Sequence, residues 1–276
     1  MHMKLSCLPV SLFQDVQRGA LNPVEWISIA KDIGYDGADI SINFVQNNSY
    51  TYLKQWKQAI REAGVPIVMA TSYPDFVHHD EAQRERELAY FARDISICSE
   101  LGIQFLRITA GQAHPQTIRE EGVRRVLDSF RKSSEHAKRQ GVQLLFENHT
   151  KPGAWDHVDF SCPLDIFFEI QEHCPEMGIA VNFDIGNAVA AGENPIKVLD
   201  RLYDNVKTIH ISDIRQEGAF SPVLIGTGVV PCLEIFSYLK SRNYDGWLCI
   251  EEASYMGMEG LKKAHDFVRE TWEKAV

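Results

Sequence analysis

The sequence has no long apolar run and no block of basic residues. None of its stretches approaches the roughly 18 consecutive apolar residues of a membrane-spanning helix, and its start, MHMKLSCLPV, has too few apolar residues for a secretory signal. Its 38 acidic and 28 basic side chains give a formal net charge of −10, which disfavours binding to a polyanion. We therefore expect a cytoplasmic protein that binds neither membranes nor nucleic acids.

Paired cysteines are also missing. The six cysteines are scattered without any C-x-x-C spacing, at Cys7, Cys98, Cys162, Cys174, Cys232 and Cys249. This distribution predicts buried, reduced thiols rather than disulfides or a thiolate metal site. Cys162 lies beside a loop that we assign to the active site, but we see no neighbour in the sequence that would lower the pKa of its thiol.

The chain contains no Pro/Gly/Ser-rich linker, compositional break or low-complexity tract that would divide it. With 276 residues, of which 45% are hydrophobic, it can bury a large core, and its length fits one α/β barrel or two ordinary domains. A G-x-G-x-x-G motif is absent after the first predicted strand, which disfavours an open, doubly wound sheet.

Short β-branched or apolar runs recur along the chain, and each is followed by a stretch with helical periodicity. This pattern is typical of repeated βα units with a parallel sheet. Eight runs qualify as strands: KLSCL, GADIS, VPIVMAT, IQFLRIT, VQLLFE, GIAVNFD, VKTIHIS and WLCIE. We predict an α/β protein whose residues 1–276 form one domain, a single (β/α)8 TIM barrel.

Proline and glycine mark the expected helix boundaries. The segments NPVEW at Asn22, SCPLD near Pro163 and ENPIK near Pro195 each place a proline where a helix should begin. A glycine precedes several of the predicted strands, where it would end the preceding helix in a left-handed conformation, at Gly34, Gly64, Gly102 and Gly141.

Four successive strands end in groups that can bind a metal ion. Apolar runs lead to Glu147, Asp184, His210 and Glu251, and in a TIM barrel the reactive groups project from these C-terminal strand ends. Three carboxylates and one imidazole suit Mn²⁺, Mg²⁺ or Co²⁺, and they are also compatible with Zn²⁺. The sequence therefore predicts a divalent-metal site at the mouth of the barrel.

Each of these groups also has a simpler interpretation. Asp184 could cap the following helix, and His210 could be a neutral core histidine bonded to a carbonyl group. Glu252 directly follows Glu251 and is the alternative candidate for the role of Glu251 at the site. Strand alternation decides between them, because Glu251 faces the barrel interior if Ile250 faces outwards.

The same segments resemble the xylose isomerase-like TIM-barrel superfamily, the sugar isomerase/epimerase group, over essentially the whole chain. The resemblance is carried by FENHT around Glu147, NFDIGNAVAAGENP around Asp184, VKTIHISD around His210, and IGTGVVPCLEIFSYLKSRNYDGWLCIEE leading to Glu251. It implies that these four residues bind one divalent ion, commonly Mn²⁺. In the ketose 3-epimerases of this group the two glutamates also act as acid and base on opposite faces of the substrate carbon.

The chain departs from those epimerases at two substrate-contacting positions. They carry a histidine three residues after the metal-binding aspartate and an arginine about six after the metal-binding histidine. This sequence has Asn187 and Gln216 there, with Arg215 adjacent. Asn187 can still donate a hydrogen bond to a substrate hydroxyl.

Further substrate-binding candidates lie near the predicted mouth. His149 and Lys151, with Trp155 and His157, form a polar and aromatic group suited to a sugar, although a lone loop histidine such as His157 more often lies on the surface. The remaining candidates are Arg107, which could instead orient Glu147 or form a structural ion pair, and Asp39, Tyr73 and His114. The glycine-containing loop 215–230 could form a lid, and without a phosphate cradle a neutral sugar or polyol is preferred.

These residues predict a metal-dependent isomerase or epimerase that acts on a ketose or related keto-sugar. Removing a proton next to a carbonyl creates an enediolate, whose charge a dication stabilises. Loss of a β-substituent from the same enediolate gives the alternative, a dehydratase or lyase acting on a keto-sugar or cyclic polyol. A non-catalytic sugar-binding barrel is a third hypothesis. A metal-dependent endonuclease is disfavoured, because this chain lacks the basic surface that such an enzyme needs to bind DNA. The sequence leaves open a homodimer or a homotetramer.

Overall fold

Strands and helices alternate along the computed structural model, which describes residues 3–150 and 153–276. The strands are β1 (Lys4–Leu8), β2 (Ala38–Ser41), β3 (Ile67–Thr71), β4 (Phe105–Ile108), β5 (Gln143–Glu147), β6 (Ala180–Asp184), β7 (Val206–Ile211) and β8 (Trp247–Glu251). The α-helices are α1 (Phe13–Gln17), α2 (Trp26–Ile33), α3 (Tyr50–Ala63), α4 (Glu81–Leu101), α5 (Arg119–Gln140), α6 (Leu164–Gln171), α7 (Ile185–Ala190), α8 (Pro195–Leu202), α9 (Cys232–Ser241) and α10 (Gly257–Lys274). Short 3-10 helices span Val10–Leu12, Pro23–Glu25, Ile42–Phe44, Pro175–Met177 and Tyr203–Asn205.

Each of the eight predicted strands forms, and each is followed by at least one α-helix. The strands make one sheet in the order β1-β8-β7-β6-β5-β4-β3-β2, and the registered pairs are parallel. Near the two ends of this order the backbone amides of Asp36 and Gly37 donate to the Leu5 carbonyl. The fold is a nearly closed (β/α)8 barrel, as predicted, and a single domain over residues 1–276 stays a prediction.

Backbone contacts divide the chain into two compact units, of which Met69–Asn182 is one. Within it, a row of aromatic side chains packs β5 against its helices. Phe146 stacks on Phe167 at 4.8 Å between ring centroids and meets Phe130 edge-on at 5.1 Å. Because alternate residues of a strand face opposite sides, this packing turns the next residue, Glu147, away from the helices.

The other unit comprises the chain up to Val68 together with Phe183–Val276. Its strands β1 and β8 pair in parallel, with Cys7 opposite Ile250 and Leu8 opposite Glu251. Cys7 lies close to Tyr35, from the segment after α2, and the Tyr35 hydroxyl donates to the Leu261 carbonyl of α10, so this side of β1 faces helical structure. Glu251 therefore lies on the opposite side of the strand from Ile250.

Two of the three predicted asparagine and proline signals form caps. The side chain of Asn22 accepts from the Val24 amide at the start of a 3-10 turn that leads into α2, and Asn194 accepts from two amides of α8. The third prediction needs correction, because Pro163 is itself the residue before α6 and no side chain caps that helix. The predicted helix-ending glycines are left-handed, at Gly34, Gly64, Gly102 and Gly141.

All six cysteines are free thiols, as predicted. Five are buried, and Cys162 is partly buried. Burial, with a smaller contribution from the charge of Asp159, raises the pKa of the Cys162 thiol, which disfavours the thiolate. Among the described residues, no helix is both long enough and apolar enough to cross a membrane.

Candidate metal site

Glu147, Asp184, His210 and Glu251 come together in the structure. Each offers one ligand atom, and these four atoms lie within 4.8 Å of one another. The first three side chains are buried, while that of Glu251 is 21% exposed. Residues from the ends of β5, β6, β7 and β8 thus form one cluster of three carboxylates and one imidazole.

Asp184 both caps a helix and faces the cluster, because its two carboxylate oxygens have different neighbours. Oδ1 accepts hydrogen bonds from the Asn187 amide, which caps α7, and from the Ser212 hydroxyl, both at 2.7 Å. Oδ2 lies 4.0 Å from Nδ1 of His210, which in turn lies 3.1 Å from Oε2 of Glu251. Capping the helix therefore leaves the second oxygen directed at the cluster.

Glu147 is held by two buried side chains of its own unit. The amide of Asn182 donates to Oε1 at 2.6 Å, and Nε of Arg107 lies 3.1 Å from Oε2. The Arg107 guanidinium is 1% exposed and stacks over the Tyr73 ring at 4.7 Å. Arg107 thus orients Glu147 here, and its predicted contact with substrate stays a prediction.

The donor set fits a divalent cation. Three carboxylates this close together repel one another, and two of them are buried, which costs several kcal/mol each unless opposite charge compensates them. Arg107 pairs with one of the three, Glu147. A dication supplies the remaining charge, and oxygen ligands with one imidazole nitrogen suit the hard and borderline ions. When bound, such an ion would lower the energy of negative charge on substrate oxygens.

Glu252 is excluded from this cluster by strand alternation. Its side chain is fully buried, and its Oε1 accepts from the Ser254 amide at 2.9 Å. A methyl group at Gly260 of α10 would fall 2.9 Å from the same oxygen. Glu252 therefore lies beneath α10, whereas Glu251 joins Asp184 and His210.

A small cleft with a cavity of about 20 Å³ lies beside Asp184 and Glu251. Its lining includes Asp184, Asn187, Ser212, Phe220, Val223 and Glu251. The predicted substrate residue Asn187 thus faces this cleft next to two of the proposed ligands. Arg215 is exposed, and its backbone amide donates to the Ser221 carbonyl.

Other predicted substrate residues occupy the loops of the unit Met69–Asn182. His149 is nearly buried, with Nε2 4.0 Å from Oε2 of Glu147, and Trp155 is also buried. Nε2 of His114 lies 2.7 Å from Oδ2 of Asp75, a partner that the sequence analysis missed, and the ring of His114 contacts that of His157. Lys151 lies outside the described residues.

Asp39, a substrate candidate predicted to lie near the mouth, sits inside its strand. Strand β2 runs from Ala38 to Ser41, and the fully buried Asp39 carboxylate accepts from the Ser6 hydroxyl at 2.6 Å. This hydrogen bond ties β2 to β1. A substrate contact by Asp39 stays a prediction.

The predicted lid loop is anchored by one buried carboxylate. Asp213 accepts hydrogen bonds from the amides of Ile214, Gly226, Gly228 and Val230 at 2.8–3.1 Å. A methyl group at Gly228 would fall 2.3 Å from Oδ1 of Asp213. Asp213 therefore shapes the stem of the loop, which leaves the exposed residues 215–218 at its tip.

The chain is a (β/α)8 barrel with three carboxylates and an imidazole at adjacent strand ends, a donor set suited to a divalent cation. The model of one family, described as xylose isomerase-like TIM barrel, matches residues 27–271. The chain belongs to this family, which confirms the resemblance seen in its sequence.

Curated relatives of the chain include inosose dehydratases. One from Bacillus thuringiensis (strain Al Hakam) is 23% identical and aligns over 97% of both chains. One from Clostridium beijerinckii is 25% identical over 55% of each chain. These named relatives are enzymes that carry out dehydration.

Solved structures with the same fold include both epimerases and a dehydratase. The 3-keto-D-glucoside 4-epimerase YcjR from E. coli superposes with a TM-score of 0.78 at 18% identity, covering 98% of this chain and 100% of that one. The probable 3-DHS dehydratase AsbF from Bacillus anthracis gives 0.76 at 16% identity, with coverage of 97% and 99%. A D-tagatose 3-epimerase-like protein gives 0.79 at 17% identity, with coverage of 99% and 98%. At these identities the likeness shows the fold alone.

Proposed function

We propose that this protein is a divalent-metal-dependent enzyme that removes a proton from the carbon next to a carbonyl group of a keto-sugar or cyclic polyol ketone. The observation that carries the proposal is the convergence of Glu147, Asp184, His210 and Glu251 within 4.8 Å. Family membership supports it, because the named relatives are enzymes.

In this proposal the four cluster residues divide the work. Asp184 and His210 serve as ligands, while Glu147 and Glu251 bind the ion and also act as the acid/base pair. Mn²⁺ is the proposed ion, with Mg²⁺, Co²⁺ and Zn²⁺ as alternatives, and it would stabilise the charge of an enediolate. The partial exposure of Glu251 gives it access to substrate, and the Arg107 and Asn182 contacts hold Glu147 in place.

The first outcome that we propose is isomerisation or epimerisation. A proton taken by one glutamate on one face of the carbon and returned by the other on the opposite face inverts that centre. The presence of two glutamates in one cluster supports this outcome. Epimerases with the same fold make it chemically compatible with the barrel.

Dehydration is the second candidate, and it is equally supported. Its specific observation is the full-length similarity to inosose dehydratases. Instead of regaining a proton on carbon, the enediolate would then break the C–O bond on the carbon next to the deprotonated one, and the hydroxyl group would leave as water with the proton that the glutamate had taken. His149, 4.0 Å from Glu147, is a candidate hydrogen-bond partner of that hydroxyl.

The remaining assignments concern substrate contact and cellular setting. We assign Asn187, Arg215, Arg107, His149, Trp155, His114 and Asp39 to the substrate-binding region. A small neutral sugar or polyol as ligand, a cytoplasmic location, and assembly as a homodimer or homotetramer are parts of the same proposal.

The test is a substrate panel on protein stripped with a chelator. Keto-hexoses and a ketone of a cyclic polyol are incubated in D₂O with and without Mn²⁺, and NMR follows the products. We expect Mn²⁺-dependent entry of deuterium next to the carbonyl, with an inverted centre in an epimerase and loss of one water in a dehydratase.

Two variants and a control make this experiment specific. Glu147→Gln and Glu251→Gln should each reduce turnover by roughly 10²-fold or more, whereas the exposed Glu273→Gln should behave as wild type. Turnover that survives complete metal removal would refute the proposal. Sugar binding without turnover, unaffected by Glu147→Gln, would favour a non-catalytic barrel.

A further inference from the structure

Three buried side chains stand in a row behind the candidate site, and they all belong to the unit Met69–Asn182. Nδ1 of His149 lies 4.0 Å from Oδ2 of Asp159, and Nε2 of the same ring lies 4.0 Å from Oε2 of Glu147. Asp159 and Glu147 are fully buried, and His149 is 6% exposed. The imidazole therefore connects a carboxylate of the metal cluster to a second carboxylate outside it.

Asp159 is held firmly on one side only. Its Oδ1 accepts from the amide and the hydroxyl of Ser161, both at 2.7 Å, and the Asp159 amide donates to the Thr150 carbonyl. Its Oδ2 is buried without a hydrogen-bond partner among the described residues. Leaving one carboxylate oxygen without a bond costs stability, so a role confined to the Ser161 turn does not account for this placement.

The neighbours of Oδ2 indicate the hydrogen bond that this oxygen accepts. Nδ1 of His149 lies 4.0 Å from this oxygen, and the Ala110 backbone and the positive charge of Arg107 also favour the ionised carboxyl. Above a pH of about 7 Asp159 is ionised, and a carboxylate accepts but does not donate a hydrogen bond. A neutral imidazole carries one N–H and one acceptor nitrogen, and a partner on one side determines which is which. Catalytic hydrogen bonds are often long without substrate and shorten when it binds.

We propose that Asp159 is a positioning residue that holds His149 with its N–H on Nδ1 and its acceptor nitrogen, Nε2, toward Glu147. In this arrangement Nε2 accepts a hydrogen bond from a substrate hydroxyl beside the reacting carbon. The catalytic role of Nε2 in this inference rests on the proposed function. The orientation of the imidazole is a property of the protein alone.

The contrasting hypothesis is that Asp159 only shapes the loop. It would then stabilise the Ser161 turn and the bridge between Gln112 and Asp159 without influencing His149. Both hypotheses allow Asp159 substitutions to alter stability. They differ in the tautomer of His149, which stability measurements do not report.

The decisive measurement is the tautomer of His149 in the wild-type protein. ¹⁵N NMR of histidine-labelled protein at about pH 8, where an ordinary imidazole is neutral, distinguishes Nδ1–H from Nε2–H. Comparison with His149→Gln assigns the signal. We expect the Nδ1–H form, and an Nε2–H form would overturn the proposal without reference to any substrate.

Asp159→Asn provides the matched substitution. The Ser161 amide can only donate, so the Asn carbonyl oxygen should keep that contact and the NH₂ group should face His149. This donor would force the Nε2–H tautomer, and kcat/KM for the substrate of the wild type should fall by roughly 10²-fold, mostly through kcat. An unchanged tautomer together with unchanged kcat would overturn the proposal.

A control and a metal assay separate this proposal from the proposed function. Asp156→Asn changes an exposed carboxylate of the same loop and should alter neither tautomer nor kcat. Mn²⁺ stoichiometry, measured by calorimetry, should be the same in wild type and Asp159→Asn. If wild type showed no metal-dependent activity, the proposed function would fail, while the tautomer would still test the placement of His149.

Discussion

Arg107 places a full positive charge inside the protein, where its partner is the Glu147 carboxylate. The two side chains are 1% and 0% exposed, with 3.1 Å between Nε and Oε2. Removing one member of a buried pair leaves the other charge uncompensated. Arg107→Met should therefore lower the free energy of unfolding by about 3–5 kcal/mol, measured by urea denaturation.

The control for this prediction is an arginine of the surface. Arg119, which contacts Asp165 and Glu169, is 42% exposed, and water and salt screen such pairs. Arg119→Met should leave the free energy of unfolding without a measurable change. Equal losses in both variants would show that the buried pair has no special stabilising role.

The buried carboxyl of Asp159 should make the stability of the fold depend on pH. Burial raises the pKa of its carboxyl to about 7, far above the value of about 3.9 in an unfolded chain. The native state then holds a proton that the unfolded state has lost between these pH values. The stabilising contribution of this group is thus complete below pH ~4 and is lost as the pH rises through ~7.

Replacing Asp159 by Asn should remove that dependence. Relative to wild type, Asp159→Asn should gain stability steadily from pH 5 to pH 8, by up to a few kcal/mol. Urea denaturation at several pH values measures the difference, and Asp156→Asn serves as the control. A difference that stays constant with pH would mean that Asp159 is ionised throughout this range.

At the scale of secondary-structure elements, α7 packs so closely against the end of β7 that one residue must be glycine. A methyl group at Gly186 would fall 2.2 Å from Oγ of Ser212. That hydroxyl donates to Oδ1 of Asp184, so the contact joins helix packing to a proposed metal ligand. Hydrogen bonds that orient ligands typically contribute 10–100-fold to metal affinity.

Gly186→Ala should accordingly weaken Mn²⁺ binding by roughly 10-fold or more, measured by calorimetry. Gly153→Ala is its control, because a methyl group there would meet no atom within 4 Å. Wild-type affinity in Gly186→Ala would show that Ser212 does not orient Asp184.

At the scale of the whole molecule, the sequence predicted the strands and the four cluster residues for a common reason. An apolar run that ends in a charged residue marks a strand end by local pattern alone, as at Glu147 and Asp184. The Asn182 contact was missed, although Asn182 and Asp184 are two residues apart in β6 and so share a face. Partners such as Asp75 and Asp159 depend on loop packing, for which the sequence carries no periodic signal.

The proposed metal cluster joins residues that are far apart in the sequence, so a cation bound there should stabilise the whole fold. Its ligands come from β5, β6, β7 and β8, and these positions converge only in the native state. Binding that favours the native state raises stability by RT ln(1 + [L]/Kd), about 2.7 kcal/mol at 100 times Kd. The melting temperature should therefore rise with Mn²⁺ and fall again with a chelator.

Glu251→Gln tests whether this stabilisation arises at the proposed cluster. Glu251 is the most exposed of the four ligands, so its replacement should disturb the apo protein least. We expect its melting temperature without metal to stay near that of wild type and its Mn²⁺-induced rise to be much smaller, while Glu273→Gln keeps the full rise. A full rise in Glu251→Gln would place the stabilising cation elsewhere, because a ligand stabilises the fold only through the site that binds it.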